Sequence, residues 1–214
     1  MMHIMNLESL IPARALAAAI AVALTTSLAS AQAPGAARPA GNRPRPIQVM
    51  TLTPTDWKDG GVIPAKHAQP GRDVSPALSW SAPPAGTASF TLIVHDVDAP
   101  IGNGTDDLLH WMVWNIPGSA TSLPEGIPRG AEREDGSRQI SATGPNYRGP
   151  AAPSTGPMHH YVFELFALDT AIAVPAVGAS PPATRAAVMA AMAGHIRGKA
   201  TAVGLYRRAT LAGR

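Results

Sequence analysis

Cysteine is absent from the 214 residues, which excludes a disulfide framework, a thiolate metal site and a cysteine nucleophile together. No Gly-x-Ser-x-Gly elbow and no His-Glu-x-x-His helix occur either, so covalent acyl transfer and a zincin-type metal centre lack their usual sequence support. Charge is scarce at 14%. The basic excess sits at Arg38, Arg43 and Arg45 and at Arg207, Arg208 and Arg214, without interleaved aromatics, so no nucleic-acid partner is expected. Beyond Leu28 no apolar run is long enough to span a bilayer.

Turn formers are plentiful. Twenty-two prolines and 20 glycines are too many for long helices, yet they are spread among β-branched and aromatic runs, which points to a strand-rich and loop-rich fold. With 45% hydrophobic residues the chain can bury one sizeable core.

The N-terminal stretch has its own logic. Arg14 precedes an apolar run from Ala15 to Leu28, and Ala29-Ser30-Ala31 supplies a small-x-small cleavage sequence. Residues 1–31 are therefore expected to be a signal peptide that leaves no transmembrane anchor after cleavage, with the mature protein periplasmic or secreted. Residues 32–46 are rich in Pro, Ala and Arg and read as a disordered linker. A single domain is expected over 47–214.

Within that domain Ile47 to Thr53 alternates with period two, as a half-buried strand does. Ala77 to Trp80 reads as a short strand, and Ser89 to Val94 as a buried one closed by His95. Asp96 and Asp98, two apart on extended backbone, should face one space, and Pro100 should discourage further pairing. A second strand is expected from His110 to Pro117, with His110, Met112 and Trp114 on one side and Trp111 and Val113 on the other. An antiparallel pairing of the two would bring His110 beside Asp96. Gly144 to Pro153 is too rigid for a strand and reads as a shaped rim, and His159 and His160 open a strong strand pattern to Leu168. Ser180-Pro181 reads as a helix start, with Arg185, Val188, Met189, Met192 and Ile196 at helical spacing. Gly198 to Arg208 reads as a closing strand.

On spacing alone, an Asp at a strand end and a lone His are turn chemistry as readily as a site. The ordered motifs DVSPALSW, HDVDAP, HWMVWNIP, YRGPAAP and HHYVFELFALD, however, resemble those of the phosphatidylethanolamine-binding protein family, in particular its bacterial Raf kinase inhibitor-like branch. The resemblance runs over roughly residues 47–208. It implies a mostly β fold, a β-sandwich of two antiparallel sheets with a few peripheral helices. It also implies a small anion-binding pocket lined by Asp96, Asp98, Pro100, His110 and His159, with Tyr147, Gly149 and Pro150 on its rim and Tyr206 nearby. Two departures stand out: Val97 replaces the proline of the family's Asp-Pro-Asp loop, and His160 replaces an arginine, exchanging a permanent cation for a titrating one.

A His beside a carboxylate is more readily protonated, so His110 and His159 are expected to hold phosphate oxygens as imidazolium donors. The leading expectation is an exported module that binds a small anion such as phosphate or a phosphorylated head group, with no cofactor and no metal. An acid-base enzyme using Asp96 and His110, and a regulator that binds a periplasmic protein partner, are the alternatives.

Overall fold

A computed structural model describes residues 46–81 and 83–210. The expected signal peptide and all of the expected linker but Pro46 lie outside these residues. Among the described residues no helix is long and apolar enough to cross a membrane.

Four long strands form the centre of a seven-stranded sheet: β5 (Ser89–Ile101), β6 (Asp106–Pro117), β9 (His159–Leu168) and β10 (Ile196–Tyr206). Their order is β10-β9-β5-β6, all antiparallel, and β8 (Arg138–Ile140) closes one side. The other edge of β10 is covered by two short strands that pair with it in parallel, β1 (Gln48–Val49) and β3 (Gly61–Val62). A second sheet is made of β2 (Leu52–Pro54), β4 (Leu78–Trp80) and β7 (Ser122–Leu123). The architecture is thus mostly β, with two sheets, one α-helix and one 3-10 turn among the described residues.

The long strands read as nearly continuous apolar runs because both of their faces are buried. On the inner face Leu92, Val94, Trp111, Val113, Phe163 and Leu165 pack against the second sheet through Leu52, Leu78 and Trp80. On the outer face Ile93, Met112, Trp114, Phe166 and Leu168 pack under helix α1 (Pro181–Met192) through Val188 and Met192. Each such fully buried side chain contributes roughly 1.5–3 kcal/mol relative to exposure.

Several expected boundaries move. The run from Ile47 is not one strand: its first part joins the large sheet and its second the small one, with Met50 buried at the crossing and Val49 fully exposed. The Ser89 strand does not stop before Pro100, and its partner begins at Asp106 rather than His110, since Pro100 pairs with Asp107 across the hairpin. Helix α1 starts where expected, capped by the Ser180 hydroxyl, but Met189 is exposed and Ile196 already belongs to β10. Strands β7 and β8 lie in a stretch with little periodicity.

The outer face also carries a row of charge across four strands. Arg185 of α1 meets Asp107 at 2.6 Å, and Asp107 meets His95 Nδ1 at 2.5 Å. Glu164 lies 3.4 Å from His95 Nε2, an ion-pair distance, and Lys199 closes the row on Glu164 at 2.6 Å.

Candidate functional site

The site is built at the start of β9, beside Asp96 of β5 and His110 of β6, and a bulge in β6 aims its histidine. Val94 pairs with Trp111 but His95 pairs with Leu109, so His110 is one residue more than its partner strand can match. In such a bulge two consecutive side chains lean to one face. His110 accordingly packs edge-on against Tyr161, ring centroids 5.0 Å apart, and Trp111 edge-on against Tyr147 at 5.5 Å. The expected grouping of His110 with Met112 and Trp114 is therefore wrong: those two lie under α1 and His110 lies on the inner face.

His110 is fixed from both ends of Arg148. The Arg148 amide donates to the His110 carbonyl at 3.0 Å, and His110 Nδ1 donates to the Arg148 carbonyl at 2.8 Å. A carbonyl only accepts, so the proton of the neutral ring is on Nδ1 and Nε2 is a bare acceptor. The residue is 1% exposed, and Nε2 has no hydrogen-bond partner in the protein. Burial lowers the His110 pKa against the smaller raising effects of the Arg148 carbonyl and the Asp96 charge. This runs against the expected imidazolium, since the shift favours the neutral ring.

Asp96 and His159 form the second half. Asp96 is 2% exposed, and His159 Nδ1 faces its two oxygens at 2.9 and 3.1 Å. Asp96 is the register partner of Tyr161, which stands two residues after His159 on the same face of β9. The Tyr161 hydroxyl accepts from the amides of Ala151 and Ala152, both at 3.2 Å, and so pins the Pro150–Pro153 segment over the strand end. Burial, aided by the Asp96 charge, raises the Tyr161 phenol well above its ordinary value. Tyr161 was not singled out in the sequence, although its spacing from His159 carried the signal.

Asp98 parts from Asp96 instead of sharing its space. Three residues, Val97 to Ala99, bulge between the pairs Asp96–Leu108 and Pro100–Asp107. The Asp98 amide donates to Asp96 Oδ1 at 3.0 Å, an Asx-type turn that sends the Asp98 carboxylate outward. There Asp98 Oδ2 accepts from the His160 amide at 2.6 Å and from its Nδ1 at 2.7 Å. Partial burial opposes, but these bonds prevail and lower the Asp98 pKa. His160 thus engages the loop by a backbone and a side-chain donor, at the position where the family has an arginine. Pro100 is exposed further along the hairpin.

The expected rim is a buried wall. Tyr147 is 4% exposed and spends its hydroxyl on the His67 carbonyl at 3.1 Å, so it lies beneath the surface. Gly149 donates to Asp73 Oδ1 at 2.6 Å, and a Cβ on it would stand 2.0 Å from the His67 carbonyl oxygen, so the close approach requires glycine. The Pro150 carbonyl accepts from Gln69 at 3.0 Å. Tyr206 is buried and is the register partner of His159.

A different group has metal-ligand chemistry. Ligand atoms of Asp56, His67 and Glu125 lie within 4.8 Å of one another. The Lys66 ammonium, however, sits 2.9 Å from Asp56 and 2.6 Å from Glu125, taking the place that a cation would have.

The class so far is a two-sheet β fold in which an Asp–His pair lies beside a buried, unpartnered imidazole nitrogen. Comparison with known proteins makes the class specific. The sequence profile described as phosphatidylethanolamine-binding protein matches residues 53–207. A UPF0098 protein of Methanothermobacter thermautotrophicus is 39% identical over 161 residues, which cover 74% of this chain and 99% of the relative. A putative lipoprotein, LppC, of Mycobacterium tuberculosis is 34% identical over 160 residues, 73% of this chain and 72% of the relative. The crystal structure of a putative phosphatidylethanolamine-binding protein homologue from Chlamydia trachomatis superposes with a TM-score of 0.63 at 29% identity, covering 75% of this chain and 99% of that one. The chain belongs to the phosphatidylethanolamine-binding protein family.

Proposed function

We propose that this protein is an exported binding module for a small phosphorylated head group or free phosphate, held between His110 and His159 beside Asp96. The observation that carries the reading is the buried, unpartnered His110 Nε2. A buried acceptor left unmatched costs about 1–3 kcal/mol, and a ligand that brings a proton to it recovers that cost. A monoanionic phosphate ester, whose second pKa is about 6, does so through its P–OH, and an ammonium group does so through N–H. A fully deprotonated phosphate has no proton to offer and would also face Asp96. Binding is therefore coupled to a proton, and it strengthens as pH falls from 8 towards 6. Export is supported by the N-terminal sequence, and the relative named as a putative lipoprotein is compatible with it.

The test is calorimetric titration of phosphate and phosphoethanolamine in two buffers of different ionisation enthalpy. Net proton uptake on phosphate binding is expected for the wild type and should be absent in His110→Asn, which keeps a donor for the Arg148 carbonyl but has no Nε2. Phosphate binding with no proton uptake, or unchanged in His110→Asn, would sink the reading.

The same bare nitrogen suits a general base, since the lowered pKa keeps His110 in the unprotonated form that can accept a proton. Turnover of a phosphoester panel that is lost in His110→Asn would move the reading from binding module to enzyme.

A further inference from the structure

The outer face holds a concavity that does not include Asp96 or His110. It is a groove of about 530 Å3 between the β5–β6 hairpin and α1, within the range of roughly 300–1,000 Å3 typical of small-ligand sites. Its walls are mostly apolar: Leu108 and Leu109 from β6, and Pro182, Ala186 and Met189 from α1. Met189 and Ile101, which also lines it, are 45% and 38% exposed, so two large apolar side chains are left partly wet at its mouth.

The polar groups of the groove decide what it would accept. Arg185 and Asp107 are spent on each other and on their neighbours: Arg185 Nη1 donates to Asp107 Oδ1 at 2.6 Å and to its carbonyl at 3.1 Å, and Asp107 Oδ2 faces His95 at 2.5 Å. Asp106 is exposed at the mouth and, among the described residues, belongs to no ion pair. Asp107 has both Arg185 and His95 beside it, so the negative charge left without a cationic partner in the lining is that of Asp106. A helix N-terminus ordinarily attracts anions through its free amides, but α1 presents none here. Pro181 and Pro182 have no N–H, the Ala183 amide donates to the Ser180 hydroxyl at 3.4 Å, and the Thr184 amide donates to the Ser180 carbonyl at 2.9 Å.

From this we infer that the groove binds a small amphipathic amine, with its apolar body along Leu108, Leu109 and Met189 and its ammonium on Asp106. A carboxylate of the same length would meet the unshared negative charge and no available amide. A plain hydrocarbon would leave Asp106 unused.

Octylamine and octanoate form a matched pair of probes, titrated into the full-length protein by calorimetry while the Met methyl resonances are followed by NMR. Saturable octylamine binding that shifts Met189 is expected, with octanoate weaker by about tenfold or more. Asp106→Asn, an exposed change outside the core, should remove most of that preference. Ala186→Trp, which fills the groove, should abolish binding of both probes. Neither variant should alter the response of His110 and His159 to phosphate, which keeps this site separate from the other. Equal affinity for the two probes, octylamine binding unchanged in Asp106→Asn, or no saturable octylamine binding would each overturn the assignment.

Discussion

His110 and Trp111 are consecutive in β6, yet both face the inside of the sandwich, because Val94 pairs with Trp111 and His95 pairs with Leu109. Without that extra residue His110 would lie on the outer face with Met112, and the proposed site would lose the nitrogen on which its reading rests. His110→Ala deletes the donor to the Arg148 carbonyl and leaves a hole against Tyr161. The expected cost is on the order of 1–3 kcal/mol, read as a lower midpoint in urea denaturation. His110→Asn, which keeps the donor, should cost less than His110→Ala; equal losses would show that the Arg148 bond contributes little.

Tyr161→Phe removes the acceptor shared by the Ala151 and Ala152 amides. Both amides should exchange with deuterium faster, and stability should fall by about 1–3 kcal/mol. Protection unchanged at those two positions would mean that the hydroxyl does not hold the segment.

Gly149→Ala puts a methyl group 2.0 Å from the His67 carbonyl oxygen. Relief requires the 65–73 turn and the 146–152 segment to separate, which also strains the bond from Gly149 to Asp73. A loss of roughly 1–3 kcal/mol, the usual range for overpacking, is expected in thermal melts. A melting temperature at the wild-type value would show that the two segments are not packed as tightly as described.

The charged row on the outer face gives stability two opposite pH dependences. The His95 imidazole and Lys199 hold the Glu164 carboxyl down to about 2, against 4.5 ordinarily. Its contribution is therefore present above pH 4.5 and is lost as pH falls through about 2. Glu164→Gln should be most damaging near neutrality and least damaging in strong acid. His95 runs the other way: although burial opposes its charge, Glu164 and Asp107 raise its pKa above 6.5. Its contribution is full below pH 6.5 and is lost as pH rises through the raised value. Chemical denaturation of His95→Gln and wild type between pH 6 and 9 should show the gap narrowing with rising pH. A constant gap would indicate that His95 does not titrate in this window.

Much of the fold follows from local pattern. Strand β9 begins at His159 and ends at Leu168 as its alternation suggests, and α1 starts at the Ser180-Pro181 cap. The bulge was not legible, for a physical reason: Leu108 to Ile116 is apolar on both faces, so one inserted residue leaves the hydrophobic pattern equally acceptable in either register. The division between β1 and β2 was hidden in the same way, since an alternating run does not say which sheet it joins. In the site, Asp96, His110 and His159 were noticeable as acid and base near strand ends, and the family resemblance grouped them. The parting of Asp98 from Asp96 depends on the turn that its own amide makes, and the burial of Tyr147 depends on a carbonyl 80 residues away at His67. Neither is a property of local sequence.

The edge of β10 has a consequence for how the chain comes together. Its two parallel partners are among the first strands of the fold and β10 is the last, with Gln48 opposite Gly198 and Gly61 opposite Gly204. The β5–β6 hairpin closes over a short loop, but β1 and β3 have nowhere to pair until almost the whole chain has been made. Contacts between such distant segments are slow to form. The beginning of the domain is thus secured by its end, and the hairpin that carries Asp96 and His110 can be in place before either is.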